Sequence, residues 1–267
     1  MQWVIREAPE GWIDLVPEGM PGILGRLLAQ RGIHCDEVER FLRPRLAELT
    51  DPFEIPEIEL AVGRILHAID KKEHVCVYGD YDVDGVSSIA VLCKTLEAYG
   101  LKPDSFIPRR SSEGYGLSDG GLERCLNECG KPDLMISVDC GTVSNEAIAM
   151  LKSKGIDTVV VDHHEIGPDG RPDCVALVNP KASGHTHNYL CAAGVVFKLA
   201  HALLKRRPLE TFDLKSVLDL VAVATISDIV PLVDENRLLV RHGLRKLENS
   251  VRPGLRALLK LTGTEGR

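Results

Sequence analysis

Short apolar runs rich in β-branched residues recur along the middle of the chain, separated by segments with helical periodicity. The runs are HVCVYG (74–79), SFIP (105–108), DLMISV (133–138), TVVV (158–161) and VALV (175–178). Between them lie VSSIAVLCKTLEAYG after the first and a helical stretch from about Val143 to Lys154 after the third. Runs this short and this uniformly apolar suit strands buried on both faces. Their alternation with helices predicts an α/β fold, a parallel sheet of about five strands with helices on both faces.

Residues 1–56 read as a small helical N-terminal extension, with GILGRLLAQRGI at helical spacing and DEVERFLRPRL stopping near Pro44. In PEIELAVGRILHAIDKK, Ile58, Val62, Ile65, Leu66 and Ile69 share one helical face. After Asn179-Pro180 the chain turns helical, through LCAAGVVFKLAHALLKRR and DLKSVLDLVAVATISDIV. The expected organisation is an extension (1–56), an α/β domain (57–236) and a basic connecting helix (237–267). Seven basic side chains against Glu248 mark residues 237–260; Arg237, Arg241 and Arg245 are four apart, as are Arg252, Arg256 and Lys260. Each trio suits either a nucleic-acid backbone or solvent.

No apolar run is long enough to span a bilayer, and MQWVIREAPEGW lacks the pattern of a signal peptide. Eight cysteines without a C-x-x-C pair, several in apolar stretches, point to reduced thiols in a cytoplasmic protein. Cys125 and Cys129 have no second pair to complete a zinc set. The net charge of −7 opposes a nucleic-acid coat unless many carboxylates are held for metals.

In open α/β sheets ligands bind beyond the carboxyl ends of the strands, and the unusual residues lie there. Asp80, Asp82 and Asp84 follow the first run, Arg109 and Arg110 the second, Asp139 the third, and Asp162-His163-His164 the fourth. GDYDVDG (79–85) matches the start of an EF-hand loop, but position 12 is Val91 instead of glutamate and a strand precedes it. It reads instead as a strand-to-helix turn, with Gly85 relieving the tight entry. Asp228, where an apolar helix meets Pro231, is a further carboxylate needing a partner or a metal. Asp219, earlier in that helix, is expected to face solvent or a positive partner. Aspartate oxygens mixed with imidazoles suit Mn²⁺, or Mg²⁺ less ideally, and tolerate Zn²⁺ or Co²⁺. So many ligands exceed one ion; two cations about 3.5–4 Å apart would use them, as in phosphoryl transfer.

In this order, VYGDYDVDGVSS, SVDCG, VVDHHE and VATISDIVPL resemble the DHH phosphoesterase superfamily, named for the tripeptide that is Asp162-His163-His164 here. FIPRRSSEGYGLS and the N-terminal run GRLLAQRGIHCDEVERFLRPRL resemble its RecJ branch, single-strand-specific 5′→3′ exonucleases. The resemblance implies a site for two Mn²⁺ or Mg²⁺ ions on Asp80, Asp82, Asp84, Asp139, His163 and Asp228. Asp139 would bridge them, and it stays open which of Asp80 and Asp82 touches an ion. It implies His164 on the scissile phosphate, Asp162 orienting an imidazole, Arg109 on a phosphate, and Tyr115 with Gly116 against a base or ribose. The implied substrate is single-stranded DNA, with RNA as a further one, and the implied partners are repair or replication proteins. RecJ-like proteins continue into a DHH-associated domain, so a fragment or a shortened member is expected. Two rivals stand: a phosphodiesterase for short oligonucleotides, cyclic dinucleotides or polyphosphate, and a non-catalytic DNA-binding scaffold.

Overall fold

The five apolar runs form one sheet. In the computed structural model, which describes residues 4, 7, 9–16 and 18–264, they become β1 (Val75–Gly79), β2 (Asp104–Phe106), β3 (Leu134–Val138), β4 (Asp157–Val161) and β5 (Ala176–Val178). All neighbours pair in parallel, in the order β2-β1-β3-β4-β5. β1 and β3 are buried along their whole length, as expected of strands covered on both faces.

The helices are α1 (Gly22–Ala29), α2 (Val38–Leu42), α3 (Ile58–Lys71), α4 (Val83–Ala98), α5 (Asp119–Cys129), α6 (Asn145–Ser153), α7 (Ala192–Arg206), α8 (Leu218–Ser227), α9 (Asp234–Glu248) and α10 (Pro253–Leu261). α3, α4 and α7 cover one face of the sheet, with α8 and α9 stacked beyond α4. On the other face Leu122 and Cys125 of α5 and Ile148 and Leu151 of α6 pack with Cys76, Tyr78, Met135 and Val160 of the strands. Burying such side chains contributes about 1.5–3 kcal/mol each.

The chain divides into two compact units, residues 1–49 and 50–267. The first holds α1 and α2. Residues 50–56, assigned to the extension from sequence, belong to the second unit, as does the 237–267 segment. α9 begins before residue 237 and buries Leu238, Leu239 and Val240, so an apolar face anchors it despite its arginines. Asp219 is buried, accepting from Ser250 Oγ at 2.8 Å and Arg252 Nε at 2.9 Å; it has the positive partner, not the solvent.

Strand register sets up the functional edge. Gly79 pairs with Val138, Val138 with Val161, and Val161 with Val178. The residues that follow, Asp80, Asp139, Asp162 and Asn179, therefore line up along the carboxyl edge of the sheet. β1 and β3 lie where the strand order reverses, the place where crevices open in doubly wound sheets.

Candidate metal centre

Asp80 leaves β1 fully buried, and neither of its oxygens has a hydrogen-bond partner. Burial raises its carboxyl, while the amides of Tyr81 and Gly116 pull the other way. Asp82 is the exposed N-cap of α4, accepting from Gly85 N at 2.9 Å. An ideal Cβ on Gly85 would stand 2.4 Å from the Asp80 carbonyl oxygen. Only glycine lets the turn close, and that closure sends Asp80, Asp82 and Asp84 toward one place.

Asp84 lies in the first turn of α4 but serves another helix. Its oxygens accept from Ala192 N at 2.7 Å and Ala193 N at 2.8 Å, satisfying two free amides at the start of α7. Its carboxyl is still pushed up to about 7, by burial first, with the Asp228 charge adding to it.

Asp139 leaves β3 with φ at 60°, a left-handed conformation that Asp and Asn tolerate best among residues with side chains. Its Oδ1 is buried without a hydrogen bond. Burial, then the charges of Asp84 and Asp82, push its carboxyl up to about 11. His163 is buried, and neither ring nitrogen is hydrogen-bonded. Its Nε2 lies 3.4 Å from Asp139 Oδ1, 3.7 Å from Asp228 Oδ2 and 3.9 Å from Asp84 Oδ2. Burial, then the neighbouring His164 charge, push the imidazole down to about 4. At neutral pH it is an uncharged ring with lone pairs to offer. Asp228 caps the C-terminal end of α8, half-buried, its carboxyl raised by burial and by Asp82.

Asp162 does a different job. Its Oδ1 accepts from His163 N and from His164 Nδ1, both at 2.7 Å, and its Oδ2 from Thr142 N at 3.0 Å. Burial opposes its ionisation, yet the bonds from His164 and Thr142 hold its carboxyl well below the usual range. That bond in turn raises His164 and fixes its Nδ1–H, leaving Nε2 directed at the Tyr115 hydroxyl 3.1 Å away.

Two ligand groups result. Asp80, Asp82 and Asp139 each offer one oxygen, all within 4.8 Å of one another; Asp84 and Asp228 with one oxygen each and His163 with a ring nitrogen form a second such group. A third group, Asp139 with His163 and His164, overlaps both. Buried carboxylates and an imidazole with nothing to bind are costly unless a cation compensates them. The orphaned atoms of Asp80, Asp139 and His163 fit divalent cations, and the mixed O/N donor set suits Mn²⁺ or Mg²⁺.

Tyr115 stands half exposed, its ring edge-on to Tyr81 and His164 with centroids 6.2 and 6.0 Å away. Gly116 has φ at 67° and its carbonyl accepts from Tyr78 Oη at 3.0 Å. Arg109 lies in the exposed loop after β2, its backbone N donating to Glu113 Oε2 at 2.7 Å. Its guanidinium is not drawn into the carboxylate cluster. Arg110 lies over the Tyr81 ring, 5.4 Å from its centroid.

Sequence reasoning missed Asn179. Its Nδ2 donates to Thr142 Oγ1 at 2.8 Å and to the His164 carbonyl at 2.9 Å, and its Oδ1 accepts from Lys181 N and Ala182 N. The signal was available: it follows β5 as the aspartates follow β1, β3 and β4. The loop pair His185 and His187 joins no metal group among the described residues. His187 Nε2 instead meets Thr50 Oγ1 at 2.8 Å, beside the buried Lys198–Glu235 ion pair.

A parallel sheet whose carboxyl edge gathers aspartates and histidines defines an α/β protein with an oxygen-and-imidazole cation site. The chain belongs to the DHH family: residues 74–225 match the family's N-terminal domain. It is 40% identical over 268 residues to the single-stranded-DNA-specific exonuclease RecJ of Bacillus subtilis, covering 98% of this chain and 33% of that protein. With the exonuclease of the same name from Thermus thermophilus it is 35% identical over 211 residues, 78% of this chain and 30% of that one. Thermus thermophilus RecJ in complex with Mn²⁺ superposes with a TM-score of 0.79 at 28% identity, over all of this chain and 38% of that one. A second structure, exonuclease RecJ bound to manganese, gives 0.71 at 33% identity, over 80% and 54%. The chain thus spans about a third of the length of these two curated relatives.

Proposed function

We propose that this chain carries the catalytic centre of a metal-dependent 5′→3′ exonuclease that hydrolyses phosphodiester bonds of single-stranded DNA. The observation that carries the proposal is the set of buried, unpartnered donors on Asp80, Asp139 and His163 at the carboxyl edge of the sheet. The manganese-bound RecJ structures with the same fold support it, as does the activity for which the RecJ relatives are named.

Asp80, Asp82 and Asp139 would hold one Mn²⁺ or Mg²⁺, and Asp84, His163 and Asp228 a second, with Asp139 between them. When bound, such ions lower the pKa of a water and neutralise charge on the attacked phosphate. The chain's own groups do the rest. Asp162 ties the two histidines' backbone to its carboxylate and, by accepting from His164 Nδ1–H and raising that ring, favours the imidazolium whose Nε2–H can donate to a phosphate oxygen. Asn179 and Thr142 fix the backbone on which His164 stands. Tyr115 offers an exposed ring for a base or ribose, and Arg109 reaches the phosphates only if its loop moves. Residues 57–236 would be the catalytic domain and the basic side chains beyond them, apart from Arg252, which Asp219 holds, a backbone track, in a cytoplasmic enzyme whose cysteines are reduced.

The test is hydrolysis of a 5′-phosphorylated single strand of about 20 nucleotides with Mn²⁺, a site size of 4–16 nucleotides being usual for such grooves. Duplex, RNA, a dinucleotide and an Asp82→Ala variant run beside it. Mononucleotides released from the 5′ end of the single strand alone are expected, and none with the variant. Cleavage of only the dinucleotide would transfer the chain to the small-substrate phosphodiesterases. Tight DNA binding without turnover would leave the scaffold.

A further inference from the structure

On the α5 face of the sheet, Cys76 meets the thiols of Cys125 and Cys129, which lie 49 or more residues further along the chain. Cys76 of β1 and Cys125 of α5 have their Sγ atoms 3.6 Å apart, and Cys129, one turn further along α5, brings its Sγ within 4.8 Å of both. Three thiolates around one zinc-class ion with Zn–S near 2.3 Å stand about 3.8–4.0 Å from one another, so little movement is needed. Cys76 and Cys125 are fully buried, whereas Cys129 is half-buried and provides the way in.

The rim carries harder ligands. Asp104 is the register partner of Cys76 on β2, and side chains paired across neighbouring strands share a face. His74 precedes Cys76 by two residues; its Nε2 lies 2.7 Å from Asp104 Oδ2, with both side chains partly exposed. Gly130, next to Cys129, lies against the same ring: a Cβ there would stand 3.9 Å from His74 Cε1. The three thiols group without a fourth donor, and His74 Nδ1 also meets the Lys131 carbonyl at 3.2 Å, so parting the imidazole–carboxylate pair would supply the fourth donor of a Cys₃His or Cys₃Asp set.

We propose that Cys76, Cys125 and Cys129 form a second metal site, for one zinc-class cation, with His74 or Asp104 as fourth ligand. It shares no ligand with the aspartate–histidine centre. Cys76 lies four residues before Asp80, about 13 Å along an extended strand. An ion there would staple α5 to the sheet, and α5 is the helix that follows the Tyr115 loop. Softness separates the sites: thiolates select zinc-class ions, carboxylates select Mn²⁺ and Mg²⁺. In the metal-free protein the Cys125 thiol, and then burial, keep Cys76 protonated, so binding releases protons and weakens as pH falls.

Cobalt distinguishes the two centres, because only a sulfur-ligated ion gives a thiolate-to-metal charge-transfer band in the near ultraviolet. Titrating the reduced chain with Co²⁺ should develop that band to one equivalent, and one equivalent of Zn²⁺ should bleach it. The band should persist in Asp139→Asn and Cys93→Ser and vanish in Cys129→Ser, whose fold is checked by circular dichroism. Should Cys129→Ser misfold, the wild type supplies the answer: one equivalent of Zn²⁺ should slow alkylation of Cys129 at least about tenfold, since a metal-held thiolate is neither free nor exposed. Absence of the band in reduced wild type, its survival in folded Cys129→Ser, or an unchanged alkylation rate overturns the site.

Discussion

Asp139→Asn should change the sign of its effect with the metal. In the metal-free chain the Asp139 carboxylate lies with Asp80 and Asp82, their offered oxygens within 4.8 Å of one another. With its carboxyl pushed up to about 11, Asp139 keeps its proton in the metal-free fold, and holding at pH 6 a proton that the unfolded chain has released costs about 3 kcal/mol. Asparagine is neutral without that cost, keeps the left-handed backbone at φ 60°, and donates its amide hydrogens to the neighbouring carboxylates. With roughly 2–4 °C of melting temperature per kcal/mol in a unit of this size, the variant should melt roughly 6–12 °C above wild type in EDTA. In Mn²⁺ the order reverses. Wild type should gain about 2.7 kcal/mol at a hundredfold excess over Kd, while the variant, missing the carboxylate shared by the two ligand groups, gains little. Thermal denaturation by circular dichroism in EDTA and in Mn²⁺, four curves in all, measures this. A variant less stable than wild type in EDTA would refute the reasoning, because Asp139 would then be a structural residue and not a charge waiting for a cation. So would a variant that keeps the full Mn²⁺ shift.

The pH dependence follows from the same groups. Asp84 and Asp139 are raised in the folded protein, so it holds their protons where the unfolded chain has released them; their contribution is present at low pH and is lost as pH rises from about 4 through 7 and beyond. His163, lowered to about 4, acts oppositely between pH 4 and its ordinary value, offsetting one carboxyl of the two. Metal-free stability should therefore fall by on the order of 1 kcal/mol per pH unit between 5 and 7, whereas Mn²⁺ affinity rises across that window; urea titrations at three pH values read both, and a rise in metal-free stability contradicts the assignment. Asn179→Ala should lower kcat about tenfold with KM little changed, by loosening the carbonyl of His164, with a stability loss of about 1–3 kcal/mol; an unchanged kcat would remove Asn179 from the positioning of that histidine. Lys198→Met should destabilise by about 3–5 kcal/mol by stranding buried Glu235, and adding Glu235→Gln should recover most of it; a double variant as unstable as the single would place the loss in packing.

The sheet was legible because β1, β3, β5 and all but the first two residues of β4 are apolar or nearly so, a pattern that burial on both faces imposes on the sequence itself, whereas edge strand β2 exposes Asp104 and Ser105 and was the weakest run. The aspartates and histidines were legible through position, since all but Asp228, which ends α8, follow a strand. Besides Asn179, three features escaped. α5 carries Gly120, Gly121 and only two leucines, so its periodicity is faint, although Ser118 caps it by accepting from Gly121 N. Asp84 reads as one of three equivalent aspartates, and only tertiary structure brings the start of α7 against it, 108 residues later. The thiol triad escaped for the same reason, since Cys76 and Cys125 are 49 residues apart. What sequence conveys poorly is the partner chosen by packing across the sheet.

The central claim is that two cations share Asp139 at the carboxyl edge of the sheet. Anomalous scattering from crystals grown with Mn²⁺ tests it directly. Two peaks about 3.5–4 Å apart, one against Asp80 or Asp82, the other among Asp84, His163 and Asp228, with Asp139 between them, are predicted. A single peak, or a pair that leaves Asp139 untouched, would contradict it.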